Sequence, residues 1–95
     1  MDQVDHSRRA DVDHLLKWAA AAWEELPEVE REIDGWRLED QLVFTEEWPI
    51  EEDRLKRLAE HARAGDLTEE QCLRYQELLK LVEERRPIIE RLLRS

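Results

Sequence analysis

The chain has 95 residues, of which 42% are charged and 41% are apolar, and its formal net charge is −10. This length fits one helical domain, residues 1–95, with a small core. The negative charge argues against generic binding to nucleic acid or to an anionic membrane, because phosphate groups would repel it.

The first half of the chain begins with a long predicted helix. Residues 1–7 are expected to be frayed, and Asp11 is the predicted N-cap. Apolar residues then recur at intervals of three and four, which is typical of one buried helix face. They are Val12, Leu15, Leu16, Ala19, Ala22, Trp23 and Leu26. Trp18 lies on the flank of this stripe. Pro27 ends the helix or opens the next one at its first position.

The middle of the chain predicts shorter elements. Residues 27–34 form a short helix that Gly35 closes as a left-handed cap. Residues 37–47 are assigned to helix, although the run 42–45 also has strand propensity. Helix is preferred because a lone strand would have no partner to pair with. Pro49 is expected to start a new helix at its first position.

The pattern of the second half of the chain predicts a helical hairpin. The helix after Pro49 ends at Gly65, and Thr68 and Gln71 have the spacing of a capping box. The final helix keeps one apolar register across Pro87, where a kink is expected. This register consists of Tyr75, Leu78, Leu79, Val82, Ile89, Leu92 and Leu93. The predicted fold is therefore all-α: a small antiparallel helical bundle with a C-terminal helical hairpin.

Patterns that support catalysis or metal binding are missing. Serine occurs only near the termini, the three histidines are scattered, and Cys72 is the single cysteine. The Glu-x-x-Glu spacing of helical nucleotide pyrophosphatases occurs at Glu25 and Glu28, but Pro27 splits it, and the accompanying Glu-x-x-Asp is absent. We expect no enzyme activity, no metal and no cofactor, with a carboxylate-metal enzyme kept as an alternative. One cysteine and no apolar leader also favour a cytoplasmic location.

The charge is concentrated in residues 27–53. This segment holds eleven acids and two bases, a net charge of −9, and all four tryptophans lie in the acidic first half of the chain. An anionic surface with large aromatic residues can attract and anchor a basic partner. The predicted partner-binding residues are Trp36, Trp48, Glu39, Asp40, Glu46 and Glu47. The sequence therefore favours a small acidic protein-interaction module that docks a basic protein, similar in size and charge to antitoxins and inhibitors.

The final helix supports an alternative function. Its apolar register from Tyr75 to Leu93 is long for a small monomer and predicts an interface between copies of the chain about a twofold axis. A structural homo-oligomer is therefore kept open, and it is compatible with a basic partner. A helix-turn-helix interpretation is rejected because Glu69 and Glu70 would face DNA phosphate with the wrong charge.

Overall fold

The structure is a computed structural model that describes the backbone of residues 2–94 and the side chains of residues 9–94. Helix α1 spans Asp2–Glu24 and α2 spans Leu26–Glu32, and a 3-10 helix follows at Ile33–Gly35. The hairpin consists of α3, Leu38–Arg63, and α4, Glu69–Arg94. The predicted all-α bundle is confirmed. None of these described helices is long and apolar enough to cross a membrane.

Helix α1 packs against both helices of the hairpin. Asp13 in the middle of α1 pairs with Arg74 near the start of α4, and Glu30 of α2 pairs with Arg91 near the end of α4. The α1–α2 segment and α4 therefore run in the same direction. Helix α3 runs the opposite way, since only residues 64–68 connect it to α4.

The molecule is elongated and thin, with extents of 49 × 24 × 17 Å. Its radius of gyration is 15.2 Å, compared with about 12 Å for a spherical domain of this length. The core is one line of apolar side chains between the helices. It consists of Val12, Leu15, Leu16, Ala19, Trp23, Leu26, Trp48, Leu58, Leu78, Val82 and Ile89. So thin a core leaves aromatic and apolar side chains in surface grooves.

Both late prolines lie inside continuous helices, so the prediction that Pro49 starts a new helix is wrong. Proline removes the N–H that would bond to the carbonyl four residues earlier, here that of Thr45. Pro49 and Thr45 are both exposed, so water can reach that carbonyl. Pro87 is exposed in the same way, and α4 continues to Arg94 as its unbroken register predicted. The kink expected there stays a prediction.

The predicted start of α1 is also wrong. The helix begins at Asp2, so Asp11 lies inside it and is not an N-cap. Residues 2–10 contain no glycine or proline, and nothing in that segment ends a helix. The fraying predicted for residues 1–7 stays a prediction: the backbone of residues 2–7 is helical, and Met1 lies outside the described residues.

The turn between α3 and α4 confirms the role predicted for Gly65. Its φ of 74° is the only positive φ among the described residues. The Gly65 N–H donates to the Ala62 carbonyl at 3.2 Å, and the Asp66 N–H donates to the His61 carbonyl at 3.0 Å. These two bonds form a Schellman motif, which satisfies the last carbonyls of α3. Gly35 lacks a positive φ, so its predicted left-handed cap is wrong.

The predicted capping box of α4 is confirmed and does more than cap. The Thr68 N–H donates to Gln71 Oε1 at 2.9 Å, and the Gln71 N–H donates to Thr68 Oγ1 at 3.1 Å. Gln71 is buried, and its Nε2 also donates to the Arg9 carbonyl at 3.1 Å and to Asp13 Oδ1 at 2.8 Å. One side chain therefore caps α4 and fastens it to α1.

Candidate protein-docking groove

A groove of about 220 Å³ runs between α3 and the junction of α1 with α2. Its lining residues are Ala22, Glu25, Val29, Trp36, Phe44, Glu47, Trp48 and Glu51. A shallower depression of about 440 Å³ shares Trp36 and Phe44 with it and adds Asp40 and Val43. The two depressions form one surface, which we call the acidic groove. It has an aromatic floor and a rim of carboxylates.

The loop before α3 holds Trp36 in place. The Trp36 N–H donates to the Ile33 carbonyl at 3.0 Å, which closes the 3-10 helix. Gln41 Nε2 then donates to the Ile33 carbonyl at 2.9 Å and to the Trp36 carbonyl at 3.1 Å. These bonds fasten the loop to the first turn of α3, so the Trp36 side chain is positioned by backbone contacts on both sides.

The floor of the acidic groove is the outer end of a row of aromatic rings. Trp36 and Phe44 meet edge to face at 6.3 Å, and Phe44 lies 5.7 Å from Trp48. Trp48 in turn meets Trp23, which is fully buried, at 5.0 Å. The row connects the partly exposed Trp36 to the core, and it gives the groove a firm apolar base.

The carboxylates of the rim differ in whether they already have a cation. Glu51 accepts two hydrogen bonds from Arg54 Nη1, at 2.9 and 2.7 Å. Glu25, Asp40 and Glu47 are exposed and form no ion pair with any residue whose side chain is described. The groove therefore presents negative charge that the described side chains do not neutralise.

The structure separates the six residues predicted to bind a partner. Trp36, Asp40 and Glu47 line the acidic groove. Glu39 and Glu46 are exposed but do not line it, and we call these two positions the outer face of α3. These two positions make useful controls, since each neighbours a groove residue in sequence.

Trp48 requires a correction. Its side chain is only 4% exposed and belongs to the core, and its Nε1–H donates to Glu52 Oε2 at 2.9 Å. It supports the groove from below and cannot serve as a surface anchor in this conformation. The proline after Trp48 suggested a helix boundary, but α3 continues and carries the ring inward with Phe44, one turn earlier.

Sequence reasoning missed the groove residues Ala22, Glu25, Val29, Val43, Phe44 and Glu51. The first three come from the α1–α2 junction, and only the packing of α3 on that junction brings them close to Trp36. Phe44 did carry a signal, because it lies four residues before Trp48 and therefore on the same helix face.

The register predicted as an oligomer interface is mostly used within the chain. Leu78, Val82 and Ile89 are buried in the core, and Tyr75 and Leu92 pack against it. That face of α4 packs against α1 and α2 of the same chain. Of the predicted set, Leu79 and Leu93 remain exposed, at 44% and 43%. The interface between two copies therefore stays a prediction, and five of its seven residues already pack within the chain.

Two arginine side chains lie over tryptophan rings in the same way. The Arg86 guanidinium carbon is 5.1 Å from the centre of the Trp23 ring, and Arg86 forms two 3.2 Å bonds to the carboxylate of Glu52. The Arg54 guanidinium carbon is 5.2 Å from the centre of the Trp18 ring. These contacts combine cation–π attraction with charge-assisted hydrogen bonds.

The described residues contain no group of three or more histidine, cysteine, aspartate or glutamate side chains placed to hold a metal ion. Cys72 is exposed and has a free thiol. No protein family, curated protein or solved structure matches this chain. The acidic groove is therefore the feature on which a function can be argued.

Proposed function

We propose that this chain is a small acidic interaction module, of the antitoxin or inhibitor type, whose acidic groove docks a basic segment of another protein. It acts by binding, without enzyme chemistry or a cofactor, in the cytoplasm. The observation that carries this proposal is an aromatic floor bordered by Glu25, Asp40 and Glu47, which have no cation partner among the residues whose side chains are described. Such a surface matches a partner that brings both positive charge and apolar contact.

Charge would act first in this mechanism. The segment 27–53, with its net charge of −9, attracts a basic partner over a distance of about a Debye length. This attraction raises the association rate and orients the partner toward α3. Binding is then expected to weaken steeply as salt is raised, since most of the acids are exposed and screened.

Apolar contact would then hold the partner in place. Trp36 is the residue of the groove best suited to anchor it, because a tryptophan buries a large area with little loss of side-chain freedom. Val43, Leu38 and Leu42 extend the apolar surface along α3, and they are 48%, 69% and 51% exposed. Apolar patches that are rimmed by polar residues are typical of protein-interaction surfaces.

Two matched double variants test the proposal. Asp40→Asn with Glu47→Gln removes two charges from the groove, and Glu39→Gln with Glu46→Gln removes two charges from the neighbouring outer face. Net charge and helix content stay equal, so only the position of the lost charge differs. The native chain and both variants are immobilised and exposed to lysate of the source cell, and each retained protein is then purified for titration.

The groove variant is expected to weaken binding of the retained basic protein by about tenfold or more, while the outer-face variant keeps most of the affinity. Raising salt from about 50 to about 500 mM should release the protein from the native chain. If both variants lower the affinity for the retained protein equally, that protein does not dock in the groove and the proposal is contradicted. A binding constant insensitive to salt would contradict the electrostatic mechanism.

Association between copies of this chain is not the function we propose. Only Leu79 and Leu93 of the predicted interface remain exposed, so the apolar register of α4 itself offers little surface for a stable dimer. A sedimentation experiment at micromolar concentration is the control. We expect a monomer, and a tight dimer would restore the homo-oligomer as the main alternative.

A further inference from the structure

We propose that the acidic groove binds an arginine side chain of the basic segment, with its guanidinium over the Trp36 ring and against the carboxylates of Glu47 and Glu25. This inference rests on the proposed function and names the chemical group that the groove selects. It follows from the arginine side chains that cover the rings of Trp18 and Trp23, and from the lack of a described arginine over the ring of Trp36.

The first pattern involves a buried ring, that of Trp23. Arg86 comes from α4 and covers the ring of Trp23 on α1 at 5.1 Å, while Glu52 of α3 accepts both of its hydrogen bonds. The Glu52 carboxylate also accepts the Trp48 Nε1–H. A planar cation thus lies between an indole ring and a carboxylate that holds it by two parallel bonds.

The second pattern occurs at the surface. Arg54 of α3 covers the exposed ring of Trp18 at 5.2 Å, and the carboxylate of Glu51 holds its guanidinium with bonds of 2.7 and 2.9 Å. In both patterns an arginine from one helix covers a tryptophan from another. The bundle therefore joins its helices twice through the same three groups.

Trp36 has two of these three groups. Its ring borders the groove together with Glu47 and Glu25, which are exposed and unpaired among residues whose side chains are described. No described arginine lies over this ring, and Arg37, the next residue, does not line the groove. An arginine brought by a partner would complete the arrangement that Trp18 and Trp23 already have.

Arginine fits this position better than lysine. Its guanidinium is planar, so it can stack on the indole and still direct two N–H groups to a carboxylate. Its weaker hydration also lowers the cost of leaving water for a partly buried site. Lysine offers a compact, strongly hydrated charge that uses the negative field but gains little from the ring.

The test uses three short alanine-rich peptides that are acetylated and amidated. They carry arginine, lysine or neutral citrulline at the same three positions. Each is titrated into the isotope-labelled native chain at low salt, and the four indole N–H signals are followed by NMR. We expect the arginine peptide to bind about tenfold more tightly than the lysine peptide, to shift the Trp36 indole signal, and to lose binding when citrulline replaces arginine.

Two variants tie this preference to the groove. Trp36→Leu is expected to bind the arginine and lysine peptides about equally, whereas Trp18→Leu should keep the preference, because that ring is already covered by Arg54. Circular dichroism spectra of both variants check that the bundle stays folded. Glu47→Gln gives a second measurement that leaves every ring in place. It should weaken binding of the arginine peptide more than Glu46→Gln does.

The outcomes separate the two proposals. Equal binding of the arginine and lysine peptides, both sensitive to Glu47→Gln, would overturn the arginine preference and leave basic docking in place. A preference for arginine that survives Trp36→Leu would also overturn it. If neither cationic peptide perturbs the groove, the proposed function fails together with this inference.

Discussion

The rings of Trp23 and Trp48 meet edge to face, with their centres 5.0 Å apart and an interplanar angle of 71°. The indole N–H groups of the two rings differ in their hydrogen bonding. Trp48 Nε1–H donates to Glu52, whereas the buried Nε1–H of Trp23 has no acceptor among the described residues. The face of Trp23 is covered instead by Arg86. In this ring pair, therefore, the indole N–H of Trp48 is hydrogen-bonded and the indole N–H of Trp23 is not, among the described residues.

This difference predicts the cost of replacing each tryptophan by phenylalanine. Both substitutions remove ring volume from the core. Trp48→Phe also breaks a bond to a carboxylate, while Trp23→Phe removes a buried N–H that has no partner. We expect Trp48→Phe to lower the free energy of unfolding more than Trp23→Phe, by about 1–3 kcal/mol. Urea denaturation of both variants measures the difference, and a larger loss at Trp23 would show that packing volume decides.

The second prediction compares the stabilities of two variants near Gln71, whose side chain both caps α4 and bonds to α1. Thr68→Ala removes only the cap and should cost about 1 kcal/mol. Gln71→Glu keeps an acceptor for the Thr68 N–H, but it places a carboxylate oxygen against the Arg9 carbonyl and the Asp13 carboxylate. We expect Gln71→Glu to destabilise the bundle more, by about 2–3 kcal/mol at neutral pH. Thermal unfolding of the two variants checks the order, and equal losses would show that the contact with α1 contributes nothing.

Some local features were predictable because they are complete within a few residues. The capping box at Thr68, the turn at Gly65 and the proline near the start of α2 follow from backbone hydrogen bonding over one or two turns. Pro49 was misjudged because the cost of a proline inside a helix depends on whether the freed carbonyl faces water. The spacing of residues around a proline does not show whether that carbonyl is exposed to water in the folded chain.

The candidate site was half predictable for a related reason. Charge counting located the acidic segment and selected Trp36, Asp40 and Glu47. Periodicity shows which face of a helix is buried but not what covers it. The sequence alone therefore does not show that Trp48 lies in the core, or that α1 and α2 of the same chain cover the apolar register of α4.

The two glycines predict opposite responses to alanine. Gly65 has a φ of 74°, where a Cβ atom is strained, whereas Gly35 has no positive φ. A Cβ atom at either position meets no other atom within 4 Å. Gly65→Ala should therefore lower stability by about 1–2 kcal/mol, and Gly35→Ala should raise it by about 0.4–1 kcal/mol by restricting the unfolded chain. Urea midpoints compare the two, and a loss at Gly35 would contradict the backbone argument.

The Glu30–Arg91 pair predicts a pH dependence of stability. Arg91 donates hydrogen bonds of 2.7 and 3.0 Å to Glu30, and this bonding lowers the pKa of the Glu30 carboxyl below its usual 4.5. The same bonds raise the pKa of Arg91, which stays charged throughout. A lowered pKa in the folded state means that the stabilisation is complete above about pH 4.5 and is lost as pH falls through the lowered value.

The measurement is the urea midpoint of the native chain and of Glu30→Gln between about pH 7 and about pH 3. The native chain should be the more stable at neutral pH, and the difference should stay constant down to about pH 5 and then shrink toward zero. Glu28→Gln is the matched control on the same short helix, because Glu28 lies 3.9 Å from Arg31 with both side chains about 70% exposed. That control should change little at any pH. If it follows the same curve as Glu30→Gln, the dependence comes from general charge on α2 and not from the bond to Arg91.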